Sequence, residues 1–354
     1  MRVVRTSPHI HGPLRTDKAM LFVIIALCPA ALWGVWAFGL RAFLVIAVSI
    51  AASVLTEYLL GLVSKEFTLR DYSAVVTGLL IGMNMPPSIP LYIPVIASAF
   101  AMAVVKWTFG GLGCNWMNPA LAGRVFVFFS FTSQMSTFTP VRWMQLDAVS
   151  SATPLSALKT AAASGAVGTS SELLSAAGLP VSDIAASLAS STGLSPYAID
   201  AFLGNVGGCI GEVSALLLLV GGIFLIATKI ITWRIPVVYL GSFAVLSWIF
   251  GGIPYGRGMF GGEIFLPLFT GGLMLGAFFM ATDWVTTPTT PKGEIIFALG
   301  CGFFTFLIRY FGSLPEGVSL AIILMNIVTP TIERFVKTKH FGAVKEKKAK
   351  EVKA

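Results

Sequence analysis

The chain has 354 residues, of which 56% are hydrophobic and 11% charged, and its mean hydropathy is +0.84. Soluble domains carry about 25% charged residues, so a soluble class is excluded and a polytopic membrane protein remains. The formal net charge of +8 does not point to nucleic acid, because the basic residues gather at the chain ends and between apolar runs, where membrane topology puts them.

Residues 1–18 form a short basic segment with Arg2, Arg5, Arg15 and Lys18. No small-residue cleavage site follows a short apolar core, so the first apolar run is expected to be a retained anchor, not a signal peptide. The first half then predicts membrane helices over roughly 19–38, 40–63, 72–84, 91–109 and 119–131. The third ends at Asn84-Met85-Pro86-Pro87 and the fifth starts at Asn118-Pro119, residues that interrupt a helix. A Ser/Ala/Gly-rich interval, 132–205, follows. It is too long for an idle connector, and its composition allows short helices lying on one membrane face. The second half predicts helices over roughly 206–231, 235–250, 263–282, 293–312 and 317–336. The last stretch, 337–354, carries seven lysines and two glutamates, the composition of a cytoplasmic, lipid-facing tail.

Ten crossings put both termini on one side. With that side inside, the inner segments hold Lys65, Arg70, Lys106, Lys229, Arg234 and Lys292, and the outer ones Arg41, Arg142, Lys159 and Arg257, with Arg309 near the outer boundary. That asymmetry satisfies the positive-inside rule and places 132–205 outside. The halves also echo each other. Thr77-Gly-Leu-Leu-Ile-Gly82 is matched by Thr270-Gly-Gly-Leu-Met-Leu-Gly276, Lys106-Trp-Thr-Phe-Gly110 by Arg309-Tyr-Phe-Gly312, and Met117-Asn-Pro119 by Met325-Asn326 with Pro330 beyond. Five spans per half make such repeats inverted, and inverted repeats with broken helices bracket a ligand or ion site near the midplane. The expected division is therefore an N-terminal segment 1–18, a five-helix repeat 19–131, an outer-face segment 132–205, a second repeat 206–336 and the tail 337–354.

Cys28, Cys114, Cys209 and Cys301 lie far apart, with no C-x-x-C pair for a cluster or zinc. A redox role would need an organic cofactor or a partner's metal. The stretch Asp147-Ala-Val-Ser-Ser-Ala-Thr153-Pro-Leu155 offers a hydroxyl, Thr153, among the small residues Ser150, Ser151 and Ala152, with a carboxylate, Asp147, upstream. Pro154 constrains Thr153 to extended geometry, and an exposed, accessible turn is expected there. Arg124 lies inside an apolar run, where a charge is costly and signals a pocket or a partner unless it snorkels to the interface. Asn84, Asn115 and Asn118 stand at helix breaks, where they cap broken helices or hydrogen-bond a cofactor. Glu57, Glu212 and Asp283 are ion-path candidates because they are embedded in or close apolar runs; Glu57 and Glu212 lie near enough to the ends to reach headgroups instead. Trp107, Trp116, Trp143 and Trp284 fall where interfacial belts form.

The opening Ser7-Pro8-His9-Ile10, the Asn84-Met-Pro-Pro87 stretch, the block Lys106-Trp-Thr-Phe-Gly-Gly-Leu-Gly-Cys-Asn-Trp-Met-Asn-Pro-Ala120 and the segment from Asp147 to Leu155 together resemble the RnfD/NqrB family over nearly the whole chain. The short N-terminus with Ser-Pro-His favours the RnfD branch. The resemblance implies FMN attached through a phosphoester to Thr153 by a separate flavin transferase, with Ser151 standing where many flavinylated subunits have glycine. Arg124 and the three asparagines become candidate flavin contacts. It further implies a non-covalent riboflavin, an all-α fold of ten helices similar to urea and ammonium transporters, and a place in the bacterial cytoplasmic (inner) membrane. The implied assembly is an ion-pumping complex linking ferredoxin and NAD and moving Na+ or H+. Its other membrane and peripheral subunits would include a second flavinylated subunit and iron-sulfur subunits.

Two alternatives remain open in the sequence. An NqrB-like subunit passing electrons towards quinone would use the same fold and flavin. A solute channel would fit the repeat alone, but the histidines, His9, His11 and His340, all lie outside the predicted spans, and an ammonium-type path would want them inside.

Overall fold

The computed structural model describes residues 15–65, 68–144, 153–314 and 316–336, and among these every regular element is helical. Helices α1 (Thr16–Phe38) and α2 (Leu40–Ser64) are joined by the single residue Gly39. Its φ of +82° is open to glycine, and a Cβ there would lie 2.0 Å from the Arg142 guanidinium. Helix α3 (Ser73–Met83) is apolar all round and almost wholly buried, as a helix surrounded by protein should be. It stops before Pro86 and Pro87, which lack the N–H that a further turn needs. Helix α4 (Tyr92–Phe100) runs on as a π-helix, Ala101–Trp107. Helix α5 (Pro119–Ser130) has proline in its first turn, and the Asn118 side chain caps it by accepting from Ala120 N and Leu121 N.

The Ser/Ala-rich interval folds into short helices: α6 (Thr132–Met135), α7 (Pro154–Ala163), α8 (Ser170–Ala176), α9 (Asp183–Thr192) and α10 (Pro196–Leu203). Hydroxyls cap α7, α8 and α9, from Thr153, Thr169 and Ser182, with a full capping box between Thr169 and Glu172. Leu158, Leu173, Leu174 and Tyr197 close a small core of their own against Leu266 of the second half. The second half consists of α11 (Ala215–Ala227), α12 (Arg234–Phe250), α13 (Phe265–Phe269), α14 (Leu273–Leu275, continuing as a π-helix over Gly276–Met280), α15 (Pro291–Tyr310) and α16 (Val318–Phe335).

Helices α1, α2, α12 with its short extension to Tyr255, α15 and α16 are each long and apolar enough to cross a membrane, and α3, α4 with its π-turn, α5 and α11 are shorter apolar helices. The protein is a polytopic membrane protein. The start of α1 lines a cavity with the start of α3 and the end of α11. Near its other end, Trp33 donates to Gly204 O just after α10, so α1 runs from the cavity to the α7–α10 layer.

Most predicted spans agree with the helices to within a few residues, and the differences have physical causes. The sixth starts at Ala215, not 206, because the intervening Gly207, Gly208 and Gly211 lie in non-helical backbone and Ser214 supplies the cap. The eighth is split where Gly271 takes φ +68°. The echo between Asn118 and Asn326 joins unlike places, since Asn118 caps α5 while Asn326 and Pro330 lie within α16.

Without a hydrophobic drive between helices in lipid, close packing of small residues holds them together. On α3, a Cβ at Gly78 would lie 2.6 Å from Ile50 Cα of α2 and one at Gly82 2.8 Å from Ile46 Cα, so backbone meets backbone. Gly78→Leu should destabilise by at least the roughly 1–3 kcal/mol of an overpacked core. A lower melting temperature in detergent is expected, whereas the exposed Val220→Leu should melt as wild type.

Candidate functional site

Two buried charge clusters lie at the helix breaks. In the first, Arg124 of α5 extends into the space where α3 ends and where the backbone before α11 and the link before α16 are non-helical. Its Nη1 donates to Asn84 Oδ1 at 3.0 Å and to Ser319 Oγ at 2.9 Å. Its Nη2 pairs with Glu316 Oε2 at 2.6 Å and Glu212 Oε1 at 3.4 Å and reaches Cys209 Sγ at 3.7 Å. Glu212 is 6% exposed, and neither of its oxygens has a hydrogen-bond partner among the described residues. The cluster is tight: a Cβ on Gly272 would sit 2.7 Å from Glu212 Oε1 and 3.5 Å from Arg124 Nη1.

The second cluster joins α2 to the π-turn of α4. Lys106 Nζ pairs with Glu57 Oε1 at 2.6 Å and donates to Ser73 Oγ at 2.6 Å, and Thr68 Oγ1 donates to the same Glu57 oxygen at 2.6 Å. Lys106 and Ser73 border a cavity of about 330 Å³, walled by apolar side chains such as Leu80 and Phe278, with Asn115, Asn118 and Asp283 as polar points. Asn115 donates to Met117 O at 3.1 Å and Asn118 to Met280 O at 3.2 Å. Asp283 accepts from Val285 N and Thr286 Oγ1, both at 3.4 Å, closing the turn after the π-helix.

These positions decide between several of the expected alternatives. Arg124 does not snorkel; it meets acidic neighbours within its own chain. Glu57 and Glu212 do not reach headgroups, since both are buried. Lys106 and Arg309, counted among the segments flanking the membrane, are buried inside the protein as well. Glu316 escapes sequence reasoning because it sits in the short link between two spans, where a carboxylate looks like a solvated turn.

Thr153 is the N-cap of α7, its Oγ1 accepting from Ser156 N at 3.2 Å and donating to Ser156 Oγ at 3.1 Å. Thr153 itself, expected to be accessible, is only 7% exposed. It lines a small cleft with Gly207, Gly208, Gly271, Glu212 and Glu316, so Thr153 and the Arg124 cluster belong to one site. Asp147, Ser150, Ser151 and Ala152 lie outside the described residues. On α7, Lys159 donates to Arg309 O at 2.9 Å, and partial burial holds its ammonium below the ordinary lysine range.

Broken helices that enclose buried ion pairs, with an apolar cavity beside one of them, define a polytopic membrane protein with charged groups held inside its helix bundle. The chain belongs to the NQR2, RnfD, RnfE family, whose model matches residues 3–342. It is 42% identical over 350 residues to the D subunit of the Na+-translocating ferredoxin:NAD+ oxidoreductase complex of Acetobacterium woodii, covering 98% of this chain and 96% of that one. It is 43% identical over 340 residues to the D subunit of the proton-translocating ferredoxin:NAD+ oxidoreductase complex of Clostridium ljungdahlii, with 96% of each chain covered. The D subunit of an ion-translocating oxidoreductase complex of Stutzerimonas stutzeri is 36% identical over 337 residues, 92% of each chain.

The Glu57–Lys106 pair makes a quantitative prediction. Removing one partner leaves a buried charge uncompensated, at a cost of about 3–5 kcal/mol, whereas removing both charges is often neutral. Lys106→Met and Glu57→Gln should each lower the melting temperature in detergent strongly, and the double variant should recover most of the loss.

Proposed function

We propose that this chain is the flavin-carrying D subunit of an ion-translocating ferredoxin:NAD+ oxidoreductase complex in the bacterial cytoplasmic membrane. The observation that carries the reading is its 42% identity, over 98% of its length, to a protein so named. Five long apolar helices, four shorter ones and the split pair α13–α14 make ten crossings. In this reading both termini are cytoplasmic and 132–205 lies on the outer face. Helices α1–α5 and α11–α16 form two inverted repeats, as in urea and ammonium transporters. Lys106 and Arg309, each one residue before the end of its helix, support that pairing.

FMN is carried on Thr153. Glycines 207, 208 and 271 leave part of the cleft wall without side chains, Thr153 opens the N-terminus of α7, where backbone N–H groups favour an anion, and the carboxylates on the same wall, Glu212 and Glu316, are paired with Arg124. Thr153 Oγ1 still accepts from Ser156 N once esterified, while its donation to Ser156 Oγ is lost. Its burial means that the flavin transferase acts before α7 docks. Riboflavin occupies the 330 Å³ cavity, where Asn115, Asn118 and Asp283 meet the polar edge of a ring and the apolar wall excludes water. Bound flavins would supply the electron-carrying chemistry, and the residues of this chain bind, orient and bury them. Glu212, with Glu57 and Asp283, marks the ion path. The other membrane and peripheral subunits, including a second flavinylated one and iron-sulfur subunits, are its partners.

The test is the intact mass of the protein co-expressed with its flavin transferase. Wild type should gain one FMN less one water, and Thr153→Ala should gain nothing. An unmodified wild type, beside a control acceptor that is flavinylated, would remove the flavin from this reading.

A further inference from the structure

Arg309, in the last turn of α15, is 5% exposed. Its Nη1 donates to Pro267 O at 2.5 Å, but its Nε and Nη2 have no hydrogen-bond partner among the described residues. Those two nitrogens form the edge of the guanidinium whose N–H bonds run parallel, the fork that takes two oxygens of one carboxylate or phosphate. Leaving buried donors unpaired costs about 1–3 kcal/mol each, and more when they are charged. The corresponding cation of the first half, Lys106, holds Glu57 at 2.6 Å.

No carboxylate of the described residues takes that place. Helix α12 presents the Phe243 ring, with its centroid 5.1 Å from the guanidinium carbon. Glu263 is engaged by Ser170 N at 3.0 Å and Arg257 at 3.3 Å. Glu316 is held by Arg124. The direction of the fork follows from Gly271, where a Cβ would lie 3.1 Å from Arg309 Nη2, 2.8 Å from Leu155 Cδ1 and 3.4 Å from Glu316 Oε1. Arg309 lines a cleft with Leu155, Lys159, Arg257 and Glu263, and Leu155 and Gly271 line the adjoining cleft that holds Thr153 and the start of α7. Arg124 pairs with Glu316 and Glu212, whereas no carboxylate of the described residues pairs with Arg309. A phosphodiester carries one negative charge at neutral pH.

We propose that the free Nε/Nη2 fork of Arg309 binds a phosphodiester, and that its source is the phosphate joining FMN to Thr153. The source rests on the reading of Thr153 as the attachment point. Arg309 is then a positioning residue: it draws the linked phosphate towards Gly271 and fixes where the flavin leaves the cleft. A phospholipid headgroup offers the same chemistry and is the other source.

The experiment is a double-mutant cycle on the complex co-expressed with the flavin transferase, with wild type, Thr153→Ala, Arg309→Gln and the double variant. Intact mass gives the FMN load, and melting of the protein gives its stability. Wild type should melt above Thr153→Ala by more than the lost α7 cap costs, and in the Arg309→Gln background the difference should shrink to that cap contribution although FMN is still loaded. Arg309→Lys, a point charge without the fork, should keep only part of the excess, and this variant decides the cycle if the glutamine variant does not fold. An equal difference in both backgrounds overturns the Arg309 assignment and leaves attachment at Thr153 intact. A wild type without FMN sinks the attachment reading, and native mass spectra then decide. A phospholipid retained by wild type and lost from Arg309→Gln assigns the fork to a headgroup; equal lipid in both overturns the site.

Discussion

A charge placed where no water reaches it must be met by another protein group, and this constraint organises the interior of the molecule. Arg124 answers it by gathering partners from four separate stretches: Asn84 at the end of α3, Cys209 and Glu212 before α11, Glu316 in the link before α16, and Ser319 inside it. Each of the stretches carrying Asn84, Glu212 and Glu316 is a helix interruption, and non-helical backbone at membrane depth is tolerated only where protein or a cavity covers it. The arginine and the breaks therefore support one another. Its fork holds the interrupted segments together, and the interruptions leave room for its carboxylates.

The same cluster gives the Thr153 cleft its electrostatic character. Glu212 and Glu316 line that cleft, so a charge gained or lost by a flavin linked there would act on two carboxylates that share one arginine. In a medium of low dielectric such interactions are far stronger than in water. A shift in the balance between Glu212, Glu316 and Arg124 is a physical route by which a redox event could bias the binding of a cation or proton. The Glu57–Lys106 pair beside the larger cavity offers a second place where buried charge and a candidate flavin site adjoin.

The named relatives sharpen the question of the transported ion. Two proteins of nearly equal identity to this chain, 42% and 43%, are named for Na+ and for protons. The choice rests on the few groups that coordinate or protonate, or on other members of the complex.

Much of this architecture was legible in the chain, because a bilayer imposes a simple rule on composition. Apolar runs bounded by Gly, Pro and basic residues marked the spans, and α2, α12 and α16 fall almost where those runs do. Asn118 and the prolines after Asn84 announced the breaks, since capping and missing N–H groups are local properties. The unusual burial of Arg124 was also foreseeable, because a lone charge in an apolar run must find a partner. Which partner it finds was not. Glu316 is distant in the chain and sits in a turn that looks solvated, and Lys106 and Arg309 look like charges flanking a span until the helices around them are assembled. The burial of Thr153, the pairing of Glu57 with Lys106 and the unpaired edge of Arg309 depend on which helices meet. Only the tertiary structure decides these, because they arise from contacts between segments whose sequences carry no record of one another.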